Sequence, residues 1–270
     1  TMAINLYDRV YKVTIGPANL PGQSWNNLDI SFDATKTGDS SPNKLKLSMF
    51  NLNPTSRGLI QRKGNIVLLE AGYKDNSGLI FKGELELVSH IKEDTEWVSE
   101  IEAKDGLTQQ RTVISLSFED DTSQRSILQE AAKKVGVDVG KLQGIKEDFK
   151  WNKGSVLHGY FKEVMDTICK SFNLYWFILN GQLYVLPNDS AISQNAILLT
   201  SNTGMIGSPE VTEEGIKILS LLRYDLDPGK IIQIKSREIE GDYIARKIVH
   251  KGNTMGNDWY SEIEAIRRVG

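Results

Sequence analysis

The side chains best able to do chemistry are few in this chain. His90, His158 and His250 are its only histidines, and Cys169 is its only cysteine. The histidines form no His-Glu-x-x-His pair and have no cysteine nearby in sequence, so no zinc ligand set is visible and neither metal nor cofactor is expected. Cys169 lies in the helix-like run Val164-Met165-Asp166-Thr167-Ile168. It reads as a small buried hydrophobe that cannot form an intrachain disulfide. Ser155 and His158 are close in sequence, but Ser155 stands where a helix N-cap is expected, and no catalytic dyad is assigned to them. The phosphate-binding loops Gly-x-x-x-x-Gly-Lys-Ser/Thr and Gly-x-Gly-x-x-Gly and the Gly-x-Ser-x-Gly nucleophile elbow are missing. A glycoside hydrolase needs only two carboxylates ~5–9 Å apart, and Glu100, Glu102, Glu262, Glu264, Asp120 and Asp121 are the candidates. Solvated strand faces and a helix start account for all six. Tyr175, Trp176 and Tyr184 could stack on a sugar, and they equally suit the core of a hairpin packed on helices. The chain is read as a non-enzyme.

The elements that carry these residues fall into three stretches. With 270 residues, 40% hydrophobic and 25% charged, the chain can bury one large core or two modest ones. Its formal charge of −3 argues against broad affinity for nucleic acid or anionic membrane. No run approaches the ~18 apolar residues of a membrane span, and the first thirty residues lack a leader pattern. Residues 1–118 alternate in the manner of strands, as in Leu28, Ile30, Phe32 and in Leu45, Leu47, Met49, with one short helical stretch at Pro54 to Gln61. The acidic run from Glu119 to Ser123 predicts a helix start, with Gly136 as its stop. A second helix is expected from about Ser155, with Val156, Leu157, Tyr160, Phe161, Val164, Ile168 and Phe172 as its apolar stripe. Asn180-Gly181 between Leu174–Leu179 and Gln182–Leu186 predicts a type I′ hairpin. Residues 119–190 thus form an α+β insert lobe, and strand texture returns over 191–270.

The two β stretches share a repeat. Trp97-Val98-Ser99-Glu100-Ile101-Glu102-Ala103 and Trp259-Tyr260-Ser261-Glu262-Ile263-Glu264-Ala265 agree at six of seven positions, 162 residues apart. Chance odds for such a match are about one in a hundred. His90 precedes the first copy as His250 precedes the second, Gly64-Asn65-Ile66-Val67 resembles Gly229-Lys230-Ile231-Ile232, and Gly83 before Leu85 resembles Gly241 before Tyr243. Residues 64–105 and 229–268 are therefore expected to be equivalent. Period two places Trp97, Ser99, Ile101, Trp259, Ser261 and Ile263 on a packed face and Glu100, Glu102, Glu262 and Glu264 on a charged one. Such faces suggest two small barrels or sandwiches that must close their edges on themselves or on a neighbouring chain.

In these features the chain resembles the central baseplate hub proteins of phage tails and related contractile injection machines. The resemblance rests on Gly83-Glu84-Leu85 and the strands to Ala103, on the insert ending Leu174-Tyr175-Trp176 to Val185-Leu186-Pro187, and on Gly241-Asp242-Tyr243 to Val249-His250-Lys251-Gly252 with Trp259-Tyr260-Ser261. It implies a mainly β fold of two duplicated tube-like β-barrel domains, 1–118 and 191–270, plus the helix-helix-hairpin lobe. It further implies a homotrimer whose six barrels form a pseudo-six-fold ring, with the tail tube above and the spike below. DNA would pass through the lumen without specific binding, no membrane partner is implied, and the protein would sit in the virion tail after assembly in the host cytoplasm. Under this reading His90, Trp97, Glu100, Glu102, His250, Trp259, Glu262 and Glu264 are structural or interface residues. The alternative is a wall-binding or peptidoglycan-cleaving component of the tail tip.

Overall fold

The computed structural model describes residues 8–142, 150–151 and 153–268. The first β part holds β1 (Arg9–Pro17), β2 (Gln23–Trp25), β3 (Ile30–Thr37), β4 (Asn43–Phe50), the short helix α1 (Pro54–Ile60), β5 (Asn65–Tyr73), β6 (Asn76–Glu93) and β7 (Glu96–Asp105). The middle stretch holds α2 (Leu107–Arg111), β8 (Val113–Phe118), β9 (Thr122–Ser123), α3 (Gln124–Lys134), β10 (Asp138–Leu142), β11 (Lys150–Trp151), β12 (Ser155–Tyr160), α4 (Phe161–Ser171), β13 (Leu174–Leu179) and β14 (Gln182–Pro187). The last part holds β15 (Ala196–Leu199), β16 (Met205–Val211), β17 (Ile216–Leu221), β18 (Ile231–Lys235), β19 (Glu240–Asn253) and β20 (Trp259–Arg267).

Strands of both β parts belong to one hydrogen-bonded sheet, in the order β16-β17-β20-β19-β3-β4-β7-β6-β5-β1-β2, with β18 and β15 joined to it through β19. The alternation read from the sequence is the cause. Ile30, Phe32 and Ala34 on β3 and Leu45, Leu47 and Met49 on β4 are buried, while the residues between them are less so. Each part has its own apolar core, one around Leu47, Leu69 and Phe81 and one around Ile218, Ile234 and Ile263. Among the described residues no strand pairing closes either part on itself; they are joined edge to edge where β19 pairs with β3.

The insert departs from the sequence reading at its second helix. Residues 155–160 form β12, which pairs with β8 from Ser155↔Phe118 to Tyr160↔Val113. Val156 is 69% exposed and Tyr160 51%. Two local features favour this outcome: Gly159 adopts φ +151°, and the helix starts instead at Phe161, with the Glu163 carboxylate reaching back to the Tyr160 N–H. The remaining stripe is correct, since Phe161, Val164 and Ile168 are buried. Ser155 is therefore a strand residue and no N-cap. At the first helix the cap is Ser123, whose hydroxyl accepts from the Ser126 N–H at 3.2 Å. The acidic residues 119–121 lie in the turn before it, with no acidic side chain in the first turn. β8 supplies Ile114, Leu116 and Phe118 to the insert's core. The Asn180-Gly181 hairpin forms as expected, with φ +54° and +80°.

Candidate assembly interface

The repeated segments form two hairpins, β6–β7 and β19–β20, with the same internal geometry. In the first, Lys92, His90, Val88 and Leu85 face Trp97, Ser99, Ile101 and Ala103. In the second, Gly252, His250, Ile248 and Ala245 face Trp259, Ser261, Ile263 and Ala265. A register shift falls between Leu85 and Leu87 in one and between Ala245 and Lys247 in the other, at the same place relative to the partner strand. Each hairpin also carries a cross-strand histidine–serine hydrogen bond, His90 Nδ1 to Ser99 Oγ at 2.9 Å and His250 Nδ1 to Ser261 Oγ at 2.8 Å. One match read from the sequence is out of step. The pairs Val67↔Gly83 and Ile232↔Tyr243 put Gly83 level with Tyr243, two residues from Gly241, while Gly64–Val67 and Gly229–Ile232 stay level.

The faces divide as the period requires. Ser99, Ile101, Trp259, Ser261 and Ile263 are buried, whereas Trp97 is only half-buried, with the Arg57 guanidinium 3.8 Å from its ring centroid. Glu100, Glu102, Glu262 and Glu264 lie on the opposite face, where cross-strand lysines pair with Glu262 and Glu264. Lys251 Nζ lies 2.9 Å from Glu262 and Lys247 Nζ 3.3 Å from Glu264, and Ser89 Oγ donates to Glu100 at 3.3 Å. Lys251, Asp33, Lys46 and Glu102 form one row across β19, β3, β4 and β7, so opposite charges alternate across the line where the two β parts join.

That line is built by the repeat residues Trp259 and His250 and by Lys36 and Asp227, two residues the sequence did not single out. Trp259 reaches over from the second part into the first core, packs edge-on against Phe32 at 5.5 Å and donates its Nε1–H to the Gly72 carbonyl at 3.0 Å. Gly252 makes room for this, since a Cβ there would lie 2.3 Å from the Phe32 ring. Lys36, 1% exposed, extends from β3 to Asp227 Oδ1 at 2.8 Å, and Lys230 holds the other oxygen at 2.7 Å. Burial alone would push the Asp227 carboxyl up, but the two ammonium groups hold it below the ordinary range. His250 is fully enclosed beside this pair, and burial, with Lys36 adding to it, drives its pKa well down, so the ring is neutral. A lone lysine in a polar stretch such as Asp33-Ala34-Thr35-Lys36-Thr37 carries no sequence signal for burial; only the strand pairing reveals it.

The insert is fastened by Asp105 at the end of β7. Its carboxylate accepts from the Asn180 N–H at 2.6 Å and the Gly181 N–H at 3.2 Å, and Asn43 bridges it to the Ile178 carbonyl. Burial raises the Asp105 pKa to about 6 against these hydrogen bonds. Gly106 follows at φ +76° with Ile178 so close that a Cβ would lie 2.9 Å away. The aromatic residues of the hairpin are engaged within the chain. Trp176 is buried and donates to Asp166 at 2.7 Å, Tyr175 and Tyr184 stack on Phe177, and Arg246 covers Tyr175 at 4.1 Å. His158 lies on β12 opposite Ser115, and Cys169 is buried. Among the described residues no group of three or more His, Cys, Asp or Glu side chains could hold a metal.

The sequence of these strands and their insert matches the family model described as baseplate hub gp41 over residues 29–265. The chain belongs to this baseplate hub family. Its fold is shared with solved tail proteins at very low identity. The 43 kDa tail protein of prophage MuSo2 from Shewanella oneidensis aligns at a TM-score of 0.68 and 8% identity, over 95% of this chain and 97% of that one. A tail protein from Neisseria meningitidis aligns at 0.69 and 10%, over 97% of each chain. A type VI secretion component of Escherichia coli, described as structurally similar to the bacteriophage T4 tail proteins gp27 and gp5, aligns at 0.62 and 11%, over 94% of this chain and 77% of that one. No curated protein sequence matches the chain. As a hub-family member the chain is a structural component of a phage tail baseplate.

Proposed function

We propose that three copies of this chain form a pseudo-six-fold ring that joins the tail tube to the central spike, and that its two β parts arose by internal duplication. The carrying observation is the pair of hairpins, alike in register, in the site of the bulge and in the histidine–serine bond, set in one sheet with β3 and β4 between them. Two like units per chain give six like surfaces from three chains, and closed cyclic symmetry lets each interface repeat without open-ended growth. The tube above can then meet six similar surfaces, while the spike below meets a three-fold chain. The role is geometric and needs no catalyst or cofactor. The four strand glutamates take part in cross-strand ion pairs or hydrogen bonds, or lie in the alternating charge row. Of the hairpin rings that could stack on glycan, Tyr175 and Tyr184 are stacked on Phe177, Arg246 covers Tyr175, and Trp176 is buried. The insert, hung from the sheet through Asp105 and Asn43, is a peripheral lobe available to neighbouring baseplate parts. Imaging of assembled tails tests the proposal: three copies per tail are expected, and six would contradict the ring of duplicated chains.

A further inference from the structure

We infer that the groove between the large sheet and the insert, where β4, β7, α2 and β12 meet, is a docking site for an acidic peptide segment of another baseplate protein. This deepens the reading of the insert as a lobe available to neighbouring parts, and it does not depend on how many copies form the ring. The groove has a volume of about 630 Å3, within the range of about 300–1,000 Å3 that ligand sites occupy. Lys44, Lys104, Arg111 and Lys162 line it, and Glu163 brings the one carboxylate among the described residues of its wall. That carboxylate is already engaged, since it accepts the Tyr160 N–H at 3.3 Å.

The sheet's contribution breaks the pattern of its own charged face. The row Lys251, Asp33, Lys46, Glu102 alternates in sign. The next row on that face runs Thr35, Lys44, Lys104, Glu84, so two lysines stand directly opposite each other on β4 and β7. Like charges in that position destabilise a strand pair. Lys104 is relieved by Glu86 at 2.5 Å. Lys44, Arg111 and Lys162 have no ion-pair partner among the described residues. In a chain of net charge −3 this groove is a local reversal of sign. An anionic segment seated there restores the alternation of the neighbouring row, and the Arg111 guanidinium suits a carboxylate held by two parallel hydrogen bonds.

The rim decides for a peptide. Tyr160 bounds the groove on the insert side and stands opposite Val113 of β8, which is 55% exposed. Val156 lies further along the same outward face of β12 and is also exposed. Exposed apolar side chains grouped beside a polar site mark a protein contact. A segment whose carboxylates lie in the groove meets aliphatic surface as it leaves, which suits acidic residues interspersed with leucine or valine. A nucleic-acid strand asks instead for successive aromatic platforms under its bases, and among the described residues Tyr160 is the only ring in the groove's wall.

The purified full chain is tested by fluorescence anisotropy with two short labelled peptides, one alternating glutamate and leucine, the other glutamine and leucine, and with a short single-stranded DNA oligonucleotide. Saturable binding of the glutamate peptide alone is expected. The double variant Lys44→Glu with Arg111→Glu, both exposed, should bind it about tenfold more weakly with an unchanged melting temperature, and Tyr160→Ser should weaken it as well. Equal binding of the two peptides, an unaffected double variant or tighter binding of the oligonucleotide overturns the inference. Assembled wild-type tails give a second reading that needs no variant. Reductive methylation should find Lys44 and Lys162 protected relative to the free chain, and a zero-length carbodiimide should link one of them to an Asp or Glu of another protein. A link to a second copy of this chain overturns the choice of partner. Lysines fully reactive in tails of three copies overturn the docking and leave the ring standing, whereas linked lysines in tails of another copy number overturn the ring alone.

Discussion

Two buried residues, His250 at the seam between the β parts and Asp105 where the insert is fastened, make the sharpest claims. His250 is enclosed and its pKa is lowered by burial and by Lys36, so the native state resists a proton that the unfolded chain accepts near the ordinary value of 6.5. Stability from this residue is present above that value and falls as pH drops through it. Chemical denaturation from pH 8 to 5 should therefore show a loss that His250→Gln lacks; parallel curves for the two proteins would refute a buried neutral ring. Asp105 has the opposite sign. Its folded pKa of about 6 exceeds the ordinary 3.8, so its contribution is full below 3.8 and is lost as pH rises through about 6. Wild type should weaken relative to Asp105→Asn over that window, and carbon NMR of the carboxyl should show a midpoint near 6; a midpoint near 4 would place Asp105 in solvent.

Among the elements, the legible ones were those whose partners are local. The Asn180-Gly181 hairpin, the α3 cap and the repeated strands were readable because turn chemistry and period two act over a few residues. The stretch from Ser155 to Tyr160 was not, because its apolar residues fit a helical stripe, and pairing with β8 some forty residues earlier decides the matter. The joining of two cores into one sheet was hidden for the same reason: β19 and β3 are far apart in sequence, and no composition marks an edge as paired. The insert's own packing is testable through Phe161, which is fully buried and meets Trp176 edge-on at 5.6 Å. Phe161→Ala should cost ~3–5 kcal/mol by removing buried rings and leaving a cavity. Urea denaturation followed through the insert's tryptophans reads this, and an unchanged midpoint would mean that the α4 stripe does not hold the lobe.

For the whole molecule the charged face sets a limit on what the ring can hold. If that face lines the bore, passing DNA meets rows such as Lys251, Asp33, Lys46 and Glu102, in which each cation is flanked by a carboxylate. Strand neighbours are ~4.8 Å apart, so these charges cancel within one Debye length of about 8 Å in physiological salt. Such a surface offers phosphates no net field and releases few counterions, which is what transit without retention requires. The assembled ring should accordingly show no salt-sensitive DNA binding. Reversing two of the anions, Glu102→Lys with Glu264→Lys, turns the rows into basic stripes repeated around the ring. That variant should acquire DNA affinity whose logarithm falls with log salt by about 0.9 per phosphate contacted, and it should release genome more slowly. Filter binding across a salt series reads both proteins: tight, salt-sensitive binding by the wild-type ring would refute the neutral bore, and a variant that gains no affinity would place this face away from the lumen.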